Sequence, residues 1–262
     1  MFKSLQHLAR TQLLILVVTC AAIGTTMTPA FTDSPFYTRQ LSQIAAAVQG
    51  SHGRLTFLPD GQGVLIDAPS LDQLPQLQNG CEITSLTMLL HYEGFGVTKE
   101  ELAHQIQRDP QTLQVNPDGT ILSWGNPNDG FVGSVSGKGP GFGVYHAPIA
   151  ALMRHYLPDD TLDLSGISFS DLLSTLRTGR PIIAWTTVGF SPDVPWTTWK
   201  TPTGPVRTTM FEHVVLLVGY NRDTVFVDNP LGGQQAEPVS MKTFRASWVA
   251  MGRQAITVLQ NR

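Results

Sequence analysis

The hydrophobic pattern divides the chain into a helical part followed by a part rich in strands. The most regular helical repeat is formed by Ile83, Leu86, Leu89 and Leu90. This spacing predicts an amphipathic helix from about Cys81 to Tyr92. Residues Thr98 to Glu101 match a capping box, which predicts the start of a second helix. Two further helices are predicted at 147–156 and 169–178.

The last third of the chain predicts an antiparallel sheet. Four runs have the composition of strands: Pro181–Val188, His213–Tyr220, Thr224–Asp228 and Gln254–Leu259. The segment 221–223 predicts a tight hairpin between two of them, and 241–251 predicts a short helix before the last strand. Helices that precede an antiparallel sheet are typical of the α+β class.

Two other segments affect the predicted topology. The stretch from Gly63 to Pro69 predicts an edge strand ahead of the first helix. The segment from Asp109 to His146 is rich in Gly, Pro and Asn, and we expect it to be a long loop without regular structure. Such long loops are uncommon and are often functional.

The N-terminus has the pattern of an export signal. Basic residues precede an apolar run, Leu13 to Ala22, that is too short for a comfortable membrane span. We expect residues 1–30 to be a signal peptide, cleaved after Ala30, or an uncleaved signal anchor. Residues 31–60 are expected to be a linker and N-terminal arm, and 61–262 the functional domain. The prediction is a secreted or cell-envelope protein that is bound to a membrane only if this segment is not cleaved, and then only through it.

Composition narrows the range of partners. The chain has 262 residues and a net charge of −3, without any run of Lys and Arg. A nucleic-acid partner is therefore not expected. The length and the 42% hydrophobic content suit one globular domain of about 200 residues beside the N-terminal segments. We expect a monomer.

The candidate nucleophile is Cys81. The chain has two cysteines, and Cys20 lies inside the predicted signal segment. An exported protein that keeps a single thiol keeps a reactive group, which favours a function for it. At a helix N-terminus, the macrodipole and a nearby imidazolium are expected to lower the thiol pKa. The alternative is a small buried core residue.

The candidate base is His213, at the mouth of an apolar strand. His146 is the competing histidine because it stands beside the glycine-rich loop. A third residue must accept a hydrogen bond from the imidazole to fix its orientation. Both Asp228 and Asn229 follow the hairpin, and on a strand their side chains point to opposite faces. The sequence leaves the choice between them open.

An oxyanion hole would combine the Cys81 backbone N–H with a side-chain donor just upstream. Gln73 is the leading candidate, and Gln76 and Gln78 are the alternatives. No cofactor is expected. Cys81, His213 and Asp228 could together ligate a metal, but the sequence has no CxxC or HExxH pair, and no metal is predicted.

Several blocks together resemble the bacterial peptidase C39-like proteins, which are standalone relatives of bacteriocin-processing peptidases. The blocks are Gln73–Leu90, Asn128–Gly133, Gly141–Tyr145, His213–Val215 and Asn229–Gly233. The resemblance extends from about Val64 to the C-terminus. It implies a papain-like fold and a Cys-His-Asp site with a glutamine in the oxyanion hole.

Carried over to this chain, the resemblance places the nucleophile at Cys81, the base at His213 and the glutamine at Gln73. The family's Asp before Pro is replaced by Asn229, and Asp228 precedes it. Asn is common in this role in papain-like enzymes, so Asn229 is the preferred third member. Exporter-linked members cut after a double glycine in leader peptides, but this chain has no transporter segment, and that specificity is not carried over.

The predicted function is a cysteine peptidase that cleaves a peptide or protein substrate through an acyl-enzyme. Two alternatives remain open. One is a non-catalytic envelope module that binds peptide or cell-wall material. Trp196 and Trp199, if exposed, would supply aromatic side chains for this binding. The other is a papain-fold amidase or acyltransferase, since its first half-reaction is identical to that of a peptidase.

Overall fold

A computed structural model describes residues 55–259. The predicted signal segment 1–30, Cys20 and the arm as far as residue 54 lie outside the described residues. The helices, in chain order, are α1 (Cys81–Tyr92), α2 (Lys99–Gln105), α3 (His146–Met153), α4 (Phe169–Leu176) and α5 (Met241–Ala250). Across 55–259, none of the helices combines the length and apolar character that a membrane span requires.

The strands have between two and nine residues each. The first eight are β1 (Leu55–Phe57), β2 (Val64–Ile66), β3 (Arg108–Asp109), β4 (Gln114–Val115), β5 (Ile121–Ser123), β6 (Phe131–Gly133), β7 (Gly141–Gly143) and β8 (Thr161–Asp163). The others are β9 (Ile182–Thr187), β10 (Thr197–Thr201), β11 (Gly204–Thr208), β12 (Glu212–Tyr220), β13 (Thr224–Asn229), β14 (Gln234–Ser240) and β15 (Ala255–Val258).

An eight-stranded antiparallel sheet is the centre of the fold. Its strand order is β1-β2-β12-β9-β15-β8, and β13 pairs with β12 and with β14. The predicted hairpin at 221–223 joins β12 to β13. Helices packed on an antiparallel sheet confirm the α+β prediction.

The predicted edge strand is wrong in position. β2 lies between β1 and β12, and the outer strand is β1, which falls inside the predicted N-terminal arm. Strand β1 has three residues, which is too short to show a period of two, so the hydrophobic pattern does not predict it.

Helix α1 is buried on nearly every side, so the prediction of an amphipathic helix is also wrong. All of its residues except His91 are buried. One side packs on β12 and β9, and the rest contacts α2 and α3. Its polar residues are accommodated by backbone carbonyls: Ser85 Oγ donates to Val214 O (3.2 Å), and Thr87 Oγ1 donates to Ile83 O (2.8 Å).

The segment 109–146 contains regular structure, contrary to the loop prediction. It contributes β4 and β5 to a four-stranded sheet of order β11-β10-β5-β4, and β6 and β7 to a three-stranded sheet with β3. These strands have two or three residues each, and β5 pairs in parallel with the distant β10. Local periodicity cannot report pairing of this kind. The strands β10, β11 and β14 were likewise not predicted.

Candidate functional site

Cys81 is the first residue of α1, and Gly80 is the N-cap. A Cβ added to Gly80 would lie 2.5 Å from the Leu77 Cβ, so the chain needs glycine to turn into the helix at this point. The thiol is free, and the residue is 7% exposed. The helix start is therefore as predicted, but the thiol is much more buried than a surface nucleophile.

The surroundings of the thiol oppose ionisation. Its Sγ donates a hydrogen bond to Glu82 Oε2 at 3.4 Å. Burial raises the Cys81 pKa well above its ordinary value, and the charges of Glu82 and Glu212 raise it further, against a smaller lowering by the Val214 backbone. The expected lowering of the thiol pKa is wrong for this state, because burial and two carboxylates outweigh the helix N-terminus.

His213 is held by Asn229. The ring Nε2 lies 2.9 Å from Asn229 Oδ1, and Asn229 Nδ2 donates to Glu237 Oε2 at 2.7 Å. Because Glu237 accepts from the amide nitrogen, the amide oxygen faces the ring, and Nε2 carries the hydrogen. The other nitrogen, Nδ1, is then left as an acceptor. Burial lowers the pKa of His213, against the Asn229 hydrogen bond and the charge of Glu237.

Cys81 lies beside the strand that carries His213, but its thiol is not hydrogen-bonded to the imidazole. Cys81 is near the backbone of Val214, the residue after His213. Between residues 55 and 259, no hydrogen bond from the thiol to the His213 ring is present, and the thiol's acceptor is Glu82. A Cys–His ion pair is therefore not formed in this state.

Asp228 faces away from His213. Its Oδ1 accepts the Ala236 N–H at 2.8 Å, where Ala236 has a φ of 50° in the irregular pairing of β13 with β14. Its Oδ2 is buried without a hydrogen-bond partner in the described part of the chain. Burial raises the pKa of Asp228 to about 7, with a further contribution from Asp67. The contacts of Asp228 are those of a residue that supports the bend in β14.

The buried carboxyl of Asp228 predicts a pH dependence of stability. Its folded pKa of about 7 exceeds the unfolded value of about 3.9. The proton therefore stabilises the fold fully below about pH 4, and this contribution is lost as the pH rises through about 7. At about pH 8 we expect the free energy of unfolding of Asp228→Asn, measured with urea, to exceed that of the wild type by roughly 2–4 kcal/mol. At about pH 4 the difference should be smaller.

Asp223→Asn is the matched control, since Asp223 is exposed in the β12–β13 turn. The free energy of unfolding of all three proteins should be measured across this pH range. An Asp228→Asn difference that does not change with pH would contradict the prediction.

Gln73 lies in the loop before Cys81 and is buried. Its Nε2 donates to Leu77 O (3.2 Å) and to Gln78 O (3.0 Å), while its Oε1 is buried without a partner among residues 55–259. Both amide hydrogens therefore hold the loop that leads to the nucleophile. The role of Gln73 in an oxyanion hole stays a prediction. The side chains of Gln76 and Gln78 are exposed.

His146, the competing histidine, has a different partner. It begins α3, and its Nδ1 lies 2.6 Å from Asp163 Oδ2. Burial alone would raise the pKa of Asp163, but the hydrogen bonds from His146 and Ser165 lower it to about 2. His146 is thus hydrogen-bonded to Asp163 on β8 and is not hydrogen-bonded to the thiol.

Two functional candidates were missed in the sequence, Glu82 and Glu212. Glu82 is fully buried and uses Oε1 to accept the Val144 N–H at 2.6 Å. Burial raises the pKa of Glu82 to about 7, and burial and the charge of Glu82 raise that of Glu212 well above its ordinary value. Each glutamate directly adjoins a predicted catalytic residue in the sequence, and that adjacency was the signal available.

These carboxylates also change the set of potential metal ligands. One ligand atom each from Cys81, Glu82 and Glu212 lie within 4.8 Å of one another. The set considered from the sequence is not brought together in the same way, because Asp228 is directed at β14. The thiol and the two carboxyl groups are all buried and close together, and such a set can bind a cation or retain a proton.

Comparison with known proteins places these residues in a family context. The chain matches the model of the Peptidase_C39 like family over residues 65–256. It is 40% identical over 184 residues, 70% of each chain, to the uncharacterized protein YvpB of Bacillus subtilis strain 168. It is also similar to a crystal structure from Bacillus anthracis described only as a candidate C39-like peptidase. The TM-score is 0.68 at 38% identity, over 75% of this chain and 97% of that chain.

Proposed function

Since the chain belongs to the Peptidase_C39 like family, we propose that it is an exported cysteine peptidase in which Cys81 attacks a peptide bond. The observation that carries this proposal is the orientation of His213. Its Nε2–H is fixed on Asn229, which leaves Nδ1 with the lone pair that a general base needs. The nucleophile begins a helix that packs against the strand bearing this base.

The proposed reaction has two half-reactions. The Cys81 sulfur forms a bond to the carbonyl carbon, and its proton passes to His213. His213 then gives this proton to the leaving amine as the C–N bond breaks. Water hydrolyses the resulting thioester with His213 again as base. The Cys81 backbone N–H and Gln73 are the proposed donors to the oxyanion, for which the Gln73 amide must release one of its loop carbonyls.

The substrate class follows from the family and the predicted export signal. We propose a peptide or protein outside the cytoplasm, cleaved without a cofactor by a monomeric enzyme. A leader peptide delivered by a linked transporter is not proposed, because that specificity belongs to exporter-linked relatives.

A second candidate is a non-catalytic module that binds peptide or cell-wall material. The observation that favours it is the buried thiol with a raised pKa and without a hydrogen bond to His213. The predicted aromatic surface gives it little support. Trp199 is 1% exposed and donates to Gly125 O, while Trp196 is half-buried beneath the Arg207 guanidinium.

Acyl-enzyme formation distinguishes these candidates. We expect the wild-type protein, mixed with a library of peptide thioesters and stopped in acid, to carry an acyl group on Cys81 by mass spectrometry. Cys81→Ala should carry none, and His213→Ala should acylate more slowly. Peptides that bind both wild type and Cys81→Ala equally, without an adduct or a cleaved product, would support the binding module instead. Transfer to an added amine in preference to water would indicate an acyltransferase.

A further inference from the structure

Two buried carboxyl groups lie beside the candidate nucleophile. Glu82 is the second residue of α1, and Glu212 is the first residue of β12, so the pair forms where the helix meets the strand. One carboxylate oxygen of each lies within 4.8 Å of the other and of the Cys81 sulfur. Glu82 is fully buried and Glu212 is 8% exposed. Neither group is required by the proposed Cys-His-Asn chemistry.

Gly143 keeps the space around this pair open. A Cβ at Gly143 would lie 2.2 Å from Glu82 Oε1 and 3.2 Å from Glu212 Oε2. Its φ of 147° is also in the region that side chains rarely adopt. The same backbone position therefore contacts both carboxyl groups, and the next residue, Val144, donates its N–H to Glu82.

The hydrogen bonds of the two carboxyl groups are unequal. Glu82 accepts two donors, the Val144 N–H and the Cys81 thiol, as an ionised carboxylate does. Glu212 Oε1 is buried and has no hydrogen-bond partner within the described residues. An unpartnered charged oxygen in this position would be costly, whereas a neutral carboxylic acid is much cheaper to bury.

No basic side chain among residues 55–259 is paired with either of these two carboxyl groups. Within the part of the chain that the structure describes, neither glutamate forms an ion pair. The titratable groups that interact with the pair are Cys81 on α1 and Tyr145 before α3. His213 follows Glu212 on β12 and interacts with Asn229 and Glu237 instead. Tyr145 is neutral, because burial raises its pKa, and its hydroxyl donates to Thr208. Two carboxyl groups at this separation in a buried site cannot both be ionised without a large cost in free energy.

We propose that Glu82 and Glu212 share one proton beside Cys81, with the proton on Glu212 and the charge on Glu82. The charged Glu82 then holds the hydrogen of the thiol and keeps Cys81 neutral in the resting protein. The raised pKa values of both glutamates agree with one retained proton.

The consequence for the proposed peptidase concerns the order of proton transfer. This part of the inference rests on Cys81 being the nucleophile. A thiol held by Glu82 does not form a resting ion pair with His213, so His213 would remove the proton only as sulfur attacks the substrate. Glu82 and Glu212 are positioning residues in this scheme, and they act through the sulfur and its hydrogen.

The shared proton is measurable without any substrate. We expect infrared spectra of the full-length protein at about pH 8 to contain the C=O stretch of a protonated carboxyl, which Glu212→Gln removes. Asp228, with a pKa of about 7, is mainly ionised at that pH and contributes little. Glu101→Gln is the control, since hydrogen bonds from Thr98 lower the pKa of the exposed Glu101. Carboxyl ¹³C NMR of Glu-labelled wild type reports the same proton if Glu212→Gln does not fold.

The charge on Glu82 has an independent test. Glu82→Gln removes a negative charge next to the sulfur, so we expect iodoacetamide to alkylate Cys81 about tenfold faster near neutral pH, as for a thiol pKa lowered by about one unit. The pH profile of alkylation should shift to lower pH in a variant that unfolds at the same urea concentration as the wild type, a condition that is needed because loosening of the fold would also lower the thiol pKa by hydrating the sulfur.

Two results would overturn the proposal. One is a wild-type protein that has no protonated carboxyl group at about pH 8. This includes the case in which Glu212 binds Zn²⁺ and not a proton. The other is slower or unchanged alkylation in folded Glu82→Gln. Neither result depends on peptide cleavage. A protein that has the shared proton but forms no acyl-enzyme would therefore contradict the proposed function and leave the carboxyl pair intact.

Discussion

Replacing His213 with alanine is expected to lower kcat/KM for a cleaved peptide by about 10²–10⁴-fold. The ring is buried, and Asn229 holds its Nε2–H, so the side chain has one free nitrogen for proton transfer. Without it, no other histidine contacts the thiol among the described residues. The loss should appear mainly in kcat, because His213 acts on the proton of the attacking sulfur and on the leaving amine.

His146→Ala is the matched control for His213→Ala. His146 also belongs to a histidine–side-chain pair, with Asp163, and it lies outside the Cys81 environment. We expect this variant to retain kcat/KM within a few-fold and to lose only the modest stability of a partly exposed hydrogen-bonded pair. Steady-state kinetics of both variants would decide between the two histidines. Equal losses, or a larger loss in His146→Ala, would contradict the assignment of the base.

The largest expected loss of stability comes from Trp185→Ala. Trp185 is fully buried on β9, between β12 and β15 in the central sheet. Its indole Nε1–H donates to Val144 O at 3.0 Å. Removing the ring leaves a cavity and an unpaired buried carbonyl, so we expect the free energy of unfolding to fall by about 3–5 kcal/mol. Urea denaturation of the full-length protein measures this difference.

Trp185→Phe separates packing from hydrogen bonding. Phenylalanine keeps much of the ring but cannot donate to Val144 O, and the expected loss is about 1–3 kcal/mol. Val144 also donates its N–H to Glu82, so Glu82 and Trp185 bind the backbone N–H and C=O of the same residue next to the site. A Phe variant as unstable as the Ala variant would show that the hydrogen bond, and not the packing, dominates. Wild-type stability in both would contradict the prediction.

Local sequence was sufficient for much of the fold. The start of α1 at Cys81 follows from Gly80 and the apolar repeat behind it, and the capping box of α2 has both of its hydrogen bonds. The hairpin between β12 and β13 is also a local feature, because its turn residues are contiguous. Each of these depends on neighbours within a few positions.

The small sheets and the burial of α1 depend on distant contacts. β5 pairs with β10, and α1 is enclosed by β12, β9, α2 and α3, which no periodicity within α1 can indicate. The same reason explains the thiol. A helix N-terminus predicted a lowered pKa, but the first turn of α1 meets Glu212 and the Val144 backbone only in the folded protein.

The third site residue could be narrowed only to Asp228 or Asn229 from the sequence. Adjacent strand residues face opposite ways, so one of the two had to face His213 and the other had to face away. The deciding contacts come from β14. Glu237 accepts a hydrogen bond from the Asn229 amide, and the Ala236 N–H donates one to Asp228. Because β14 was not itself predicted, its influence could not be included.

The order in which the chain leaves the ribosome determines when the Cys81 thiol acquires its neighbours. α1 emerges early, but Glu212 and His213 belong to β12, and the last strand inserted between β9 and β8 is β15. A nascent chain that ends before residue 212 carries Cys81 without its carboxyl pair and without its imidazole. Such non-local closure is slow to form compared with local helices. The environment that encloses Cys81 is therefore complete only after β12 and the strands beside it have been synthesised.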